Sequence, residues 1–301
     1  MHYYSIYQQV FKFIPRDRFE KGAEPYSGDR FLMLFHHASV RNTLFYAKER
    51  IRLFFAKRML YYSGCGRKTE TESSLMDIKH FYIEKGTGKT IILLHGNGES
   101  SDYFKGQIDE FANQYHVYAI DTRGHGRTPR GEMPFTIRQF SDDLLGFMDE
   151  HQIGKAHLLG FSDGGNIAMV FAIQHPDRVD RLILNGANLN TNGVKRSTQV
   201  PIEIGYRIAR KFSGKSDSAR RNAEMLGLMV NDPNLSPGEL AGIRAKTMVI
   251  AGTRDVIKEA HTRKIADCIP DARLVFVKGS HFIANRHPKE FNRAVLDFLQ
   301  A

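Results

Sequence analysis

The chain has 301 residues, 42% hydrophobic and 25% charged, which places it among ordinary soluble globular proteins of one large or two modest domains. Its two cysteines, Cys65 and Cys268, show neither CxxC nor Cys/His ligand spacing, so no disulfide framework or zinc site is indicated and a reducing, cytoplasmic setting is expected. The net charge of +10 permits nucleic-acid binding, but no recognition motif accompanies it, and nucleic acid is not an expected partner.

Residues 1–75 form the first expected part, a basic, aromatic-rich helical extension with 13 Lys/Arg against 7 Asp/Glu, a net of +6. It also holds 15 of the 33 Phe and Tyr, a composition unlike a disordered tail. The opening residues lack a basic n-region followed by an unbroken apolar run, so they do not read as a signal peptide. No stretch approaches the roughly 18 apolar residues of a spanning helix. Val40, Leu44, Ala47, Ile51, Phe54 and Phe55 share one helical face, and Arg41, Lys48 and Arg52 share another. Two readings of this basic amphipathic helix stay open: a contact with protein, or a peripheral membrane contact through residues 38–62. Gly64, Gly66 and the polar run RKTETESS read as a linker to a second domain, residues 76–301.

From Ile78 onward, short apolar runs alternate with amphipathic stretches, the rhythm of βα units. The runs are Ile91–Leu94, Val117–Ile120, Ala156–Phe161, Arg181–Asn185, Thr247–Gly252 and Arg273–Val277. Each is strand-sized and lacks polar alternation, as strands covered on both faces do. Between them, Ile137, Phe140, Leu144, Phe147 and Met148 recur at three- and four-residue steps and predict a helix over Thr136–His151. The expected fold class is α/β, a doubly wound, mostly parallel sheet. The rhythm breaks between about 189 and 244, where a short helical cap is expected from Ile202–Phe212 and Ser218–Val230.

The chemistry sits at the ends of the predicted strands. LLGFSDGG (Leu158–Gly165) runs from strand through Gly160-Phe161-Ser162-Asp163-Gly164 into a helix. That is the pattern of a nucleophile elbow, in which the residues two before and two after the serine must be small because strand and helix approach closely. HGNGES (His95–Ser100) follows the strand IILL and offers a second oxyanion donor. The backbone N–H groups of Asn97 and Asp163 are therefore the expected oxyanion hole. His95 reads as a structural histidine bracing this loop, Asp121 and Arg123 of DTRGHG as loop-fixing residues, and His125 as outside any triad.

A serine hydroxyl needs a base to take its proton, and the base needs a carboxylate to hold its tautomer. TMVIAGTRD places Asp255 beyond one strand and RLVFVKGSH places His281 beyond the next, so Ser162, Asp255 and His281 are the expected catalytic residues, in the chain order Ser, Asp, His. Phe161, Asp163, Met225 and Met229 are the candidate pocket residues; in the cap, Met225, Leu226, Leu228 and Met229 either line an acyl site or anchor the cap. Neither metal nor organic cofactor is required by this chemistry.

Together HGNG, DTRGHG, GFSDGG, AGTRD and GSHF resemble the α/β-hydrolase superfamily in order and approximate spacing over Ile78–Leu299. GFSDGG, NGAN and the tail HFIANRHPKEFNRAVLDFL are further similar to small serine esterases of the valacyclovir-hydrolase type. That resemblance implies cleavage of a small carboxylic ester, including amino-acid esters, through an acyl-enzyme, with no cofactor. It leaves the first 75 residues unexplained. Asp163 has two readings, an anchor for a substrate ammonium or a helix-capping residue that contributes only its N–H. Three alternatives to an esterase use the same triad, namely a thioesterase, a lactonase and a C–C bond hydrolase; a fourth is a ligand-sensing protein without turnover.

Overall fold

The computed structural model describes residues 77–301. The predicted extension of residues 1–75, with its linker and its contact surface at 38–62, lies outside the described residues.

Among the described residues seven strands form one sheet, β1 (Tyr82–Lys85), β2 (Lys89–Leu94), β3 (Tyr115–Ile120), β4 (Ala156–Phe161), β5 (Val179–Asn185), β6 (Lys246–Arg254) and β7 (Arg273–Ser280). Their order is β1-β3-β2-β4-β5-β6-β7. All neighbours are parallel except β1, which runs antiparallel along β3 with Tyr82 opposite Ile120. The helices are α1 (Lys105–Phe111), α2 (Ile137–Glu150), α3 (Asp163–Gln174), α4 (Arg196–Phe212), α5 (Asp217–Asn231), α6 (Glu259–Cys268), α7 (Ile283–Arg286) and α8 (Pro288–Gln300).

The unbroken apolar strands are explained by two cores, one on each face. Ile91, Leu93, Leu159, Ile183 and Ile250 point into a core completed by Phe104, Ile108 and Phe111 on one side of the chain and Phe291, Val295 and Phe298 of α8 on the other. Ile92, Leu94, Leu158, Leu182 and Val249 point into the opposite core, with Phe140, Leu144 and Phe147 of α2, Val170 and Phe171 of α3, and Ile265 of α6. Successive strand side chains alternate faces, so helices on both sides require apolar residues at every position. Helix α2 begins where its sequence signals it should: the Thr136 side chain accepts the backbone N–H of Gln139 at 3.2 Å.

Two details depart from the sequence reading. β1 was not among the expected strands, because YIEK is half exposed on an edge and carries no apolar run. β7, expected to be covered on both faces, is mostly half-buried, since it borders only β6 within the sheet.

The parallel strands all end on one edge of the sheet, so every loop after a strand converges there. Chain order reverses direction across β2 and β4, leaving a crevice beyond their C-terminal ends, the place where ligands bind in open α/β sheets. The insertion between β5 and β6 folds as the two-helix hairpin α4 and α5, with α4 starting six residues before the predicted Ile202.

Candidate active site

The elbow between β4 and α3 places Ser162 in a conformation that ordinary residues avoid, with φ +54° and ψ −118°. The neighbouring contacts make it unavoidable: a Cβ at Gly160 would run into the backbone of Gly164, and one at Gly164 would run into the carbonyl of Leu94. β4 and α3 therefore cross with no room for side chains, and the half-buried serine is pushed to the tip.

Ser162 Oγ lies 3.1 Å from His281 Nε2, and His281 Nδ1 lies 2.7 Å from Asp255 Oδ1. Three residues separated by 26 and 119 positions in the chain thus form one relay. Asp255 is buried at 4% exposure, yet its carboxyl sits below the ordinary value. Burial alone would raise it; the facing His281 and hydrogen bonds from the N–H groups of Ile257 (2.9 Å) and Gly252 (3.3 Å) outweigh that and hold it ionised. An ionised Asp255 accepts Nδ1–H, leaving Nε2 as the acceptor for the serine proton. Phe161 packs against the imidazole at a tilt of 48°, 4.8 Å between ring centroids, and is itself backed by Tyr103 in a parallel stack at 4.3 Å. The imidazole is thereby held by aromatic packing as well as by its hydrogen bonds.

The loop after β2 faces the elbow. Asp163 is the first residue of α3, where the N–H has no carbonyl a turn earlier in the helix to bond. The Asn97 side chain does more than the sequence suggested: Nδ2 donates to Asp163 Oδ2 and to the carbonyl of Met225, each at 2.9 Å. It ties the oxyanion loop, the elbow and the cap to one another. His95 is fully buried, with Nδ1 2.8 Å from the Gly96 carbonyl and Nε2 accepting the N–H of Thr122 at 3.1 Å, and burial pushes its basicity down. Asp121 accepts the N–H groups of Ser101 and Arg127. Arg123, wholly buried, makes a two-pronged pair with Asp143 and a further bond to Asp77, all at 2.7 Å. These are the bracing roles expected of His95, Asp121 and Arg123, and His125 stands outside the relay, bonded to the Arg123 carbonyl.

A pocket opens over Ser162 and His281, lined by Phe161, Asp163 and Asn188 from the body and by Thr198, Gln199, Leu226 and Met229 from the cap. Phe161, Asp163 and Met229 line it as expected. Met225 does not; on α5 the inward positions are Leu226 and Met229, three apart on one face, and Met225 contributes only its carbonyl to Asn97. The sequence reading also missed Asp232, at the C-terminal end of α5, which lines the same pocket. No local pattern marks it, since an aspartate after a helix is ordinarily solvated. Burial and the nearby Asp163 push its carboxyl up to about 6. Asp163, buried at the pocket wall, is likewise raised by burial, against the hydrogen bonds from Asn97 and Asn166 and the nearby His281. No lysine or arginine is among the described residues lining this pocket. Lys195, near its rim, turns its ammonium to the Asp255 carbonyl at 2.5 Å. Among the described residues no group of three or more His, Cys, Asp or Glu is placed to hold a metal ion.

Comparison with known proteins finds relatives of the same fold. A family model described as the alpha/beta hydrolase fold matches residues 89–206. The chain is 29% identical over 270 residues to the 2-hydroxy-6-oxo-6-phenylhexa-2,4-dienoate hydrolase of Comamonas testosteroni, covering 76% of this chain and 94% of that one. It is 25% identical over 251 residues to the (E)-2-((N-methylformamido)methylene)succinate hydrolase of Acinetobacter baylyi, covering 73% and 93%. Among solved structures, the enol-lactonase from Burkholderia xenovorans LB400 superposes with a TM-score of 0.60 at 25% identity, over 74% of this chain and 97% of that one.

Proposed function

From the premise that this chain belongs to the α/β-hydrolase superfamily, we propose that it cleaves a small carboxylic ester whose acyl or alcohol part carries a cationic amine, using Ser162 as nucleophile. In the proposed reaction the Ser162 oxygen attacks the ester carbonyl carbon while His281 Nε2 takes its proton. The oxyanion of the tetrahedral intermediate is held by the N–H groups of Asn97 and Asp163. Collapse breaks the carbon–oxygen bond, and the departing alcohol takes the proton from His281. Water then attacks the acyl-enzyme, giving its proton to His281; release of the acid returns that proton to Ser162. Asp255 stays ionised throughout and stabilises the charged imidazole.

The observation that carries the substrate class is the pair Asp163 and Asp232, two of the three carboxylates, with Glu99, among the described residues lining one pocket to which no described lysine or arginine contributes. Burial raises the cost of ionising both, Asp163 adds to that cost at Asp232, and a bound ammonium would relieve both at once. The same pair disfavours substrates like those named for the Comamonas and Acinetobacter relatives, a dienoate and a succinate, since each would bring a further negative charge into the pocket.

The test compares kcat/KM for an α-amino ester and its des-amino analogue in the parent and in Asp163→Asn. The expected result is a preference for the amino ester of at least about tenfold, corresponding to about 1.4 kcal/mol, that shrinks several-fold in the variant. Equal ratios in both proteins would remove the amine from the proposal while leaving ester cleavage intact.

A further inference from the structure

Helix α4 is amphipathic in two directions. Ile202 and Gly205 are buried and Thr198 and Gln199 line the active-site pocket, so one side of the helix faces the body and α5. On the side away from them, Val200, Ile204, Ile208 and Phe212, spaced every four residues, are 40 to 50% exposed. They are four of the five large hydrophobic side chains that stand exposed among the described residues. A four-residue step keeps them in one slowly winding stripe. Singly exposed apolar residues need no explanation; a stripe of four along one helix does.

Charge gathers at the same place. Residues 195–221 contain Lys195, Arg196, Arg207, Arg210, Lys211, Lys215, Arg220 and Arg221 against Glu203 and Asp217, a net of +6 in 27 residues. The rest of residues 76–301 is net −2, so the basic character of this domain is confined to the cap. Arg196, Arg207 and Lys211 fall beside the apolar stripe on the helix circumference, and Arg207 and Lys211 are exposed.

We propose that α4 is an interfacial helix that seats the cap on an anionic lipid surface. An apolar stripe edged by lysine and arginine is the complement of that surface: the stripe enters the acyl boundary and the cations meet the headgroups. A second copy of the same face is disfavoured, because a two-fold contact would bring two segments of charge +6 together. No described helix is long and apolar enough to cross a membrane, so the contact is a seating rather than a span. Since α4 also contributes Thr198 and Gln199 to the pocket, seating would open the pocket's cap side to molecules held at the interface. This inference is independent of which ester is cleaved.

The experiment uses the full chain and measures co-sedimentation with phosphatidylcholine vesicles, with and without phosphatidylglycerol. Two double variants are compared with the parent, Ile204→Ser with Ile208→Ser, and Arg207→Gln with Lys211→Gln. Turnover of a short soluble ester and the melting temperature report that each variant is folded. The expected result is binding to the phosphatidylglycerol vesicles that weakens with added salt and falls at least about tenfold in both variants, with soluble-ester turnover unchanged. Parent-like binding by both variants would overturn the proposal by placing lipid affinity elsewhere in the chain. Absence of binding by the parent would overturn it, as would a dimer that the Ile204→Ser, Ile208→Ser protein alone fails to form. A failure of soluble-ester turnover in the parent would count against the catalytic reading and not against this one.

Discussion

Asp232 is the residue whose burden is clearest. Its carboxyl, raised to about 6, is more easily protonated in the folded chain than in the unfolded one, where an aspartate titrates near 4. Between those values the native state binds more protons, so this residue's contribution to stability falls as pH rises from about 4 to 6 and stays unfavourable above. Asp232→Asn should therefore raise stability at pH 7, on the order of 1–2 kcal/mol after allowing for its partial exposure, with the gain vanishing below about pH 4. Chemical denaturation of parent and variant across that range measures it, and an equal difference at all pH values would refute the assignment. The same variant should weaken the preference for an amino ester, the exchange of stability for function expected where a binding site holds a buried carboxylate whose burial outweighs its partners. Neither Asp232 nor the bridging side chain of Asn97 was legible in the sequence. Both act through partners more than sixty positions away, Asp163 in each case, and neither sits in a pattern that requires such a partner.

At the scale of elements, the elbow was legible because its demands are local. A strand, a glycine, a serine and a second glycine that allows helix and strand to cross all occur within eight residues. Gly164→Ala would force a methyl group against the Leu94 carbonyl beneath it. The expected result is a loss of at least about 2 kcal/mol in urea denaturation together with lowered turnover, since relief requires β2 and α3 to separate. β1 was not legible, because an edge strand is specified by its partner: Tyr82–Lys85 has nothing apolar to repeat and is recruited by pairing with β3. The cap helices were predicted from their apolar spacing, yet which face of α5 points inward was not. Leu226 and Met229 line the pocket while Met225 turns aside, a matter of rotation that the spacing alone leaves undecided.

For the whole molecule, the sheet's parallel order is what brings distant loops to one edge, and the loop after β3 is secured there by a buried ion network. Arg123 is wholly enclosed and answers both Asp143 and Asp77, joining the start of the described body, the β3 loop and α2. Its hydrogen bond and charge hold Asp77 well below the usual carboxylate range. A carboxyl depressed in this way lends stability above its unfolded value near 4, and that stability is lost as pH falls through the folded value. Arg123→Leu would leave Asp143 buried without its cation and should cost about 3–5 kcal/mol in thermal or chemical unfolding, far more than any surface pair. The neighbouring Ser162 relay lies outside this network, so what folded variant remains should keep its kcat.

Catalysis by this chain requires Ser162 to be an activated nucleophile. A fluorophosphonate probe with intact mass measurement and peptide mapping reads this directly: one adduct per chain, on Ser162, absent in Ser162→Ala and formed at least about a thousandfold more slowly in His281→Ala. An adduct elsewhere, or labelling of Ser162 at an undiminished rate without His281, would contradict it.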